Sequence, residues 1–127
     1  MMNLIWLLTS FRGRIGRAQF WLGNALAALV MGGGLTLAQW LIEGDFAPVV
    51  SGRGDINQFI IGVVMITFMI NIAVSAKRLH DRDTSGWWHL IILLPFIGIS
   101  WWLIEAGFRQ GTRGPNQFGP DPRDKQA

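Results

Sequence analysis

The chain has no cysteine and no tyrosine, and long stretches of it carry no charge. Without cysteine, disulfides, thiolate metal sites and thiol nucleophiles are all excluded. The missing charges are more informative. Ala18–Ile42, Ile56–Ala76 and Thr84–Ile104 hold 25, 21 and 21 residues without Asp, Glu, Lys or Arg. As helices rising about 1.5 Å per residue they reach about 38, 32 and 32 Å, against a hydrocarbon core of about 30 Å. These runs and their connections consume most of the 127 residues, so no separate soluble catalytic domain fits. The chain reads as one membrane domain over residues 1–127, with spans near 18–42, 56–76 and 87–107 and a polar tail over 108–127.

What is present agrees. Half of the residues are hydrophobic, and 11 Lys and Arg face 8 Asp and Glu. The basic residues crowd beside the apolar runs, at Arg12, Arg14, Arg17, Lys77, Arg78 and Arg82. Juxtamembrane cations orient a chain and attract anionic headgroups, so membrane lipid is the expected partner and nucleic acid is not. MMNLIWLLTSF has no basic residue ahead of it and no small-residue cleavage site behind it. It is expected to form a short interfacial helix, not a cleaved signal peptide. The loop Glu43–Asp55 carries three acids and one Arg, which places it away from the cytoplasm and the N-terminus inside.

The third run supports two readings. A single helix from Gly86 to Gly107 is long enough to span. Yet Pro95 to Gly98 interrupts it, and Trp87-Trp88 and Trp101-Trp102 would lie only about 21 Å apart along one helix. Charge also divides the two. A straight span leaves six Lys and Arg inside and five outside, whereas a re-entrant hairpin leaves ten inside and one outside. Gly23/Ala27, Ala28/Gly32 and Gly34/Ala38 in the first span allow close helix approach and are read as internal packing rather than a dimer face. The fold expected is therefore an all-α integral membrane protein. It is a small helical bundle of three transmembrane segments, the third spanning or re-entrant, with a short N-terminal interfacial helix.

Chemistry concentrates in Lys77–Asp83, where six of seven residues titrate. Lys77, Arg78, His80, Asp81, Arg82 and Asp83, with Arg14 and Arg17, are the candidate surface for a lipid headgroup or a partner protein, the cations suiting an anionic group. His80, Asp81 and Asp83 have donor types for a divalent cation, and His80 those of a general base, but H-D-x-D alone is not a specific motif. No metal and no cofactor is expected. Opposite charges pairing at the membrane surface is the simpler reading of the same loop. If the second helix continues past Ala76, then Thr67, Asn71, Ser75, Arg78 and Arg82 fall on one stripe. That stripe lines a small polar cavity on one reading and makes helix–helix hydrogen bonds on the other. His89, on the third segment, reads as a hydrogen-bonded structural residue. Asn116, Phe118 and Asp121 could fold back on the basic loops if both lie on one side.

Three stretches taken together carry a resemblance. They are Phe11-Arg-Gly-Arg-Ile-Gly-Arg-Ala-Gln-Phe-Trp21, Lys77-Arg-Leu-His-Asp-Arg-Asp-Thr-Ser-Gly-Trp-Trp88 and Gly114-Pro-Asn-Gln-Phe-Gly-Pro-Asp-Pro122. In this order and spacing the chain resembles the DUF805 family of small bacterial inner-membrane proteins over nearly its whole length. It departs from the family at Gly16, where a small hydroxyl residue, a helix cap, is frequent. The resemblance implies location and architecture and no activity. The expected function is non-enzymatic: binding of anionic lipid, or of a membrane protein partner or second copy, through cytoplasmic basic loops. The alternatives are an oligomeric transporter or channel component lined by Thr67, Asn71 and Ser75, and a lipid-modifying enzyme using His80 and Asp81.

Overall fold

The computed structural model describes residues 3–43 and 53–124. Most of the expected loop Glu43–Asp55 lies outside the described residues. Helix is the main regular element among the described ones, joined by an isolated bridge between Asn116 and Gly119. Helix α1 is Leu4–Thr9, α2 is Arg17–Glu43 and α3 is Arg53–Asp81. A 3₁₀ helix follows over Gly86–Leu93, then α4 over Ile97–Trp102, which continues as a π-type segment over Leu103–Phe108.

Helices α2 and α3 pair antiparallel. A Cβ built on Gly23 would meet a Val74 methyl at 2.7 Å, and one on Gly34 would meet Val63 at 2.6 Å. Ala27 and Ala38 are buried on the same face. Glycine is required at these two contacts because a side chain would occupy the neighbour's volume. Gly32 has nothing near its Cβ position, and Ala28 is exposed, so only part of the small-residue pattern is used within the chain. Both long helices are apolar enough to cross a membrane. Their apolar surface faces outward: Leu29 is 70% exposed and Ile61 60%. In water such a surface would be a large unfavourable patch, whereas lipid solvates it.

The third apolar run does not continue as one helix. The chain reverses at Leu94–Phe96, where Phe96 takes a positive φ of 64°. The 3₁₀ helix and α4 pack side by side, and the rings of Trp88 and Trp101 come within 6.0 Å of each other. The continuous segment of residues 87–107 is thus a helical hairpin, and both Trp pairs sit at its open end. Proline breaks the helical ladder, and the residue before it avoids the α region, which is where the reversal falls. Ser85 caps the 3₁₀ helix by accepting from the Trp87 N–H.

All remaining segments gather at the end where α2 begins and α3 finishes. Asn3 caps α1, accepting from the N–H groups of Ile5 and Trp6. Leu7, Ile15, Phe20, Val74 and Ala106 form the core beneath the charged layer, with Trp102 packed against it. The Gln19 side chain accepts the Gly16 N–H at 3.0 Å, which is one half of a capping box for α2.

Candidate functional site

The last two turns of α3 carry Lys77, Arg78, His80 and Asp81, because the helix runs to Asp81 rather than ending near Ala76. Asp81 is almost fully buried and is the centre of the charged layer. One of its carboxylate oxygens accepts from Nε and Nη2 of Arg14, at 3.1 and 2.9 Å. The other accepts from Nη1 of Arg78. A carboxylate at a helix C-terminus opposes the helix dipole, and two arginines reverse that penalty.

The arginines have further partners. Arg14 also donates to the carbonyls of Gly114 at 2.7 Å, Thr112 at 2.8 Å and Gly119 at 3.1 Å. Arg78 donates through Nε to the Ala106 carbonyl at 2.8 Å and through Nη2 to that of Arg109. Lys77 donates to the carbonyls of Trp6 and Leu7, at 2.8 and 2.5 Å, and lies over the Trp6 ring at 4.6 Å. So the cations of α3 cap the C-termini of two other helical segments, where unpaired carbonyls and the dipole favour positive charge.

The tail closes over this layer. Thr112 donates its N–H and its hydroxyl to the Asp81 carbonyl, at 2.8 and 2.9 Å. Asn116 donates to the His80 carbonyl at 2.9 Å, and Phe118 stacks on the His80 ring with centroids 4.0 Å apart. His80 Nδ1 lies 3.2 Å from the Gly13 carbonyl. Asp121 turns to its own segment, accepting from Gly114 N–H and from Arg123. The hydrogen bonds from the Arg123 side chain and N–H hold the Asp121 carboxyl well below the usual carboxylate range. The fold therefore joins all three sequence motifs into one polar layer.

The other sequence candidates lie differently. Arg17 is exposed and its guanidinium reaches the Phe108 carbonyl at 3.4 Å. Arg82 is paired with Glu105 at 2.8 Å, and Asp83 is exposed in a left-handed turn with φ 58°. Along the stripe, Thr67 donates back to the Val63 carbonyl, Asn71 donates to Asn24 of α2 at 3.0 Å, and Ser75 accepts from Trp102 at 3.1 Å. Each of these three side chains thus makes at least one hydrogen bond within the protein. Among the described residues, no group of three or more His, Asp or Glu is placed to hold a metal ion.

Two participants had no motif to announce them. Glu105 bridges Arg82 and Arg109 from the π-type segment. Gly111 passes so close to Asp81 that a Cβ there would strike its carboxylate. A lone acid after an apolar run, and a glycine before a threonine, were the available signals.

The structure thus defines an all-helical membrane protein with a buried arginine–carboxylate layer at one end. The chain belongs to the family described as protein of unknown function (DUF805), whose model matches residues 8–120. Among curated relatives, it is 39% identical over 118 residues to the inner membrane protein YhaH of Escherichia coli K12, covering 89% of this chain and 87% of that one. It is 34% identical over 115 residues to the inner membrane protein YhaI of the same organism, covering 89% and 86%. YiiR, also from that organism and described as uncharacterized, is 29% identical over 143 residues, covering 94% and 89%. No solved structure matches the chain.

Proposed function

We propose that the chain is a multi-pass, non-enzymatic protein of the bacterial inner membrane that holds anionic lipid headgroups against a cytoplasmic arginine face. One observation carries this reading. At the end where the three motifs meet, the described residues include nine Lys and Arg against five Asp and Glu. Arg14, Lys77 and Arg78 are turned inward and fully occupied, while Arg12, Arg17, Arg109, Arg113 and Arg123 are exposed around them. Each such cation near an anionic surface is worth about 1 kcal/mol. The same excess supports a cytoplasmic placement of the N-terminus, the α3–3₁₀ loop and the tail. In this placement the Leu94–Phe96 reversal makes the third segment re-entrant. Its 3₁₀ arm of 8 residues reaches about 16 Å, roughly half of the hydrocarbon core.

The buried residues have a different part. Arg14, Lys77, Arg78 and Asp81 build the platform, and Arg17, Arg82 and Asp83 border its outer face. A catalytic pairing of His80 with Asp81 draws little support, since the ring is stacked on Phe118 and both carboxylate oxygens are held by arginines.

The test is reversal of the exposed cations alone, Arg12→Glu, Arg17→Glu and Arg113→Glu together. Lipids retained through purification are measured against the membrane they came from. The expected result is loss of the anionic enrichment in an inserted, folded protein. Wild-type enrichment in the triple variant would overturn the reading, as would capture of an acidic protein by the same arginines with the lipid pool unchanged. Placement is read separately from Gln117→Cys, which lies on the exposed part of the tail. An impermeant thiol reagent should label it only after cell lysis; labelling in intact cells removes the cytoplasmic face.

A further inference from the structure

The chain has two histidines, and both line one half-open cavity of about 430 Å³ between α3 and the 3₁₀ helix. Their surroundings fix which atom each imidazole turns to it. His80 Nδ1 lies 3.2 Å from the Gly13 carbonyl, which can only accept. Nδ1 therefore carries the proton, and Nε2 keeps a bare lone pair. That nitrogen lies 3.4 Å from where a Gly86 Cβ would stand, at the cavity wall. His89 is 4% exposed, and its Nδ1 is sealed without a partner. A sealed N–H with no acceptor is rarer than a sealed acceptor with no donor, which assigns the His89 proton to Nε2. His89 Nδ1 is the one sealed side-chain N or O without a partner among the described residues. The Nε2 atoms of both rings, which also have no partner, are thus open.

The cavity therefore offers an acceptor at its charged end, from His80, and a donor deeper in, from His89. Gly86 and His89 are one 3₁₀ turn apart, a rise of about 6 Å. The deep end is apolar, with Phe68 and Ile72 on the α3 wall and Leu93 opposite. From Phe68 to His80 the α3 wall rises about 18 Å. Ligand sites of this size are usually apolar with a few polar groups that set orientation, and here those groups are one donor and one acceptor.

We propose that this cavity binds a monoacyl glycerophospholipid. His89 Nε2–H donates to the ester carbonyl, and His80 Nε2 accepts from the free glycerol hydroxyl beside it. A singly acylated glycerol phosphate places an ester acceptor and a hydroxyl donor on neighbouring carbons. An intact diacyl phospholipid carries esters on both carbons and leaves His80 Nε2 without a donor at that level. The single chain lies along Phe68, Ile72 and Leu93, and the phosphate leaves at the charged end, where the exposed cations stand. The site rests on the membrane placement given above, but not on selection of anionic headgroups.

The test uses the full chain in vesicles of dioleoylphosphatidylcholine with a trace of one of three photoreactive probes. These are a lysophosphatidylcholine with a diazirine midway along its chain, its 2-O-methyl ether, and a diacyl phosphatidylcholine carrying the same chain. After irradiation, label on the two cavity walls is compared with label on the lipid-facing side of α2 around Leu29. The lysolipid should favour the cavity over the diacyl probe by about two- to tenfold, the weight of one hydrogen bond. The 2-O-methyl ether, which cannot donate, should fall to the diacyl level on the wild-type chain. Ile72→Trp, which fills the cavity, should abolish the preference while leaving α2 labelling unchanged. Equal ratios for the lysolipid and diacyl probes, or a preference undiminished by the ether, would overturn the proposal. So would displacement of the probe by dioleoylglycerol as readily as by unlabelled lysophosphatidylcholine, since the phosphate would then play no part. These vesicles carry no anionic lipid, so failure here leaves the headgroup reading standing. Anionic enrichment that persists in the triple arginine variant removes that reading alone.

Discussion

Around Gly34 and Val63 the two long helices meet through a bare glycine backbone and valine methyls. Around Asp81, segments from both ends of the chain meet through arginines, a lysine and backbone carbonyls. Lipid gives no hydrophobic reward for bringing two apolar helices together, so the membrane half relies on close contact and sparse hydrogen bonds. The charged half relies on groups that are expensive to bury and that become costly whenever one partner is lost. The difference means that the two halves should respond to substitution on different scales. Polar pairs in the membrane half are nearly expendable, whereas a single carboxylate organises the other end.

The largest effect should come from Asp81→Asn. It leaves Arg14 and Arg78 buried without their counter-charge, and breaking such a cluster typically costs about 3–5 kcal/mol. The variant should unfold at much lower temperature in detergent, with the tail becoming protease-sensitive as the Arg14 contacts to Thr112 and Gly114 are lost. Asp83→Asn, on an exposed acid two residues on, should stay within about 0.5 kcal/mol of wild type. Equal stability of the two variants would break the comparison.

Next in size is Gly23→Ala. The added methyl would lie 2.7 Å from Val74, and overpacking of this kind typically costs about 1–3 kcal/mol. Val74→Ala in the same chain should restore much of the loss. A double-mutant cycle on thermal stability checks it, and additive effects would mean that the two helices do not meet there.

Much of this was legible in the sequence. The charge-free runs predicted the two long helices because lipid demands length and composition alone. The Trp spacing and the count of basic residues favoured a hairpin, while the length of the run concealed it. The reversal rests on Pro95 and on Phe96 adopting φ 64°, a local event that hydropathy does not register. At the site, the three motifs were visible, but their roles were not. Arg14 and Arg17 look alike in RGRIGR, yet one is buried against Asp81 and the other is exposed. Sequence spacing cannot separate them, because the distinction is made by a tail about a hundred residues later, whose Gly114 lies against Arg14. Thr67, Asn71 and Ser75 all lie on the continuous α3, but the partners Asn24 and Trp102 come from other segments and give no local signal.

The membrane half can be probed more finely at Asn71→Leu. This breaks the 3.0 Å bond to Asn24, and such bonds between membrane helices average about 0.6 kcal/mol. Asn24 keeps the Nδ2 bond to the Phe20 carbonyl at 2.9 Å, while its Oδ1 loses the Asn71 donor. A small fall in unfolding temperature with unchanged insertion is expected. A loss comparable to that of Asp81→Asn would show that the membrane half also depends on buried polar order, and the contrast between the halves would disappear.

The smallest effect should be a gain, at the boundary between the halves. Gly16 precedes the first turn of α2, its N–H is already accepted by Gln19, and no atom lies within 4 Å of where a Cβ would go. Gly16→Ser would supply the missing hydroxyl acceptor for the N–H of Gln19 and complete the reciprocal cap. Since glycine is itself a tolerable N-cap, the gain should be only a few tenths of a kcal/mol. It should appear as slower hydrogen exchange in the first turn of α2 before it is visible in global unfolding. If the serine instead destabilises the chain, the entry to α2 is governed by the buried Arg14 and Ile15 contacts rather than by capping. The charged layer would then reach one turn further into the membrane half than its hydrogen bonds indicate.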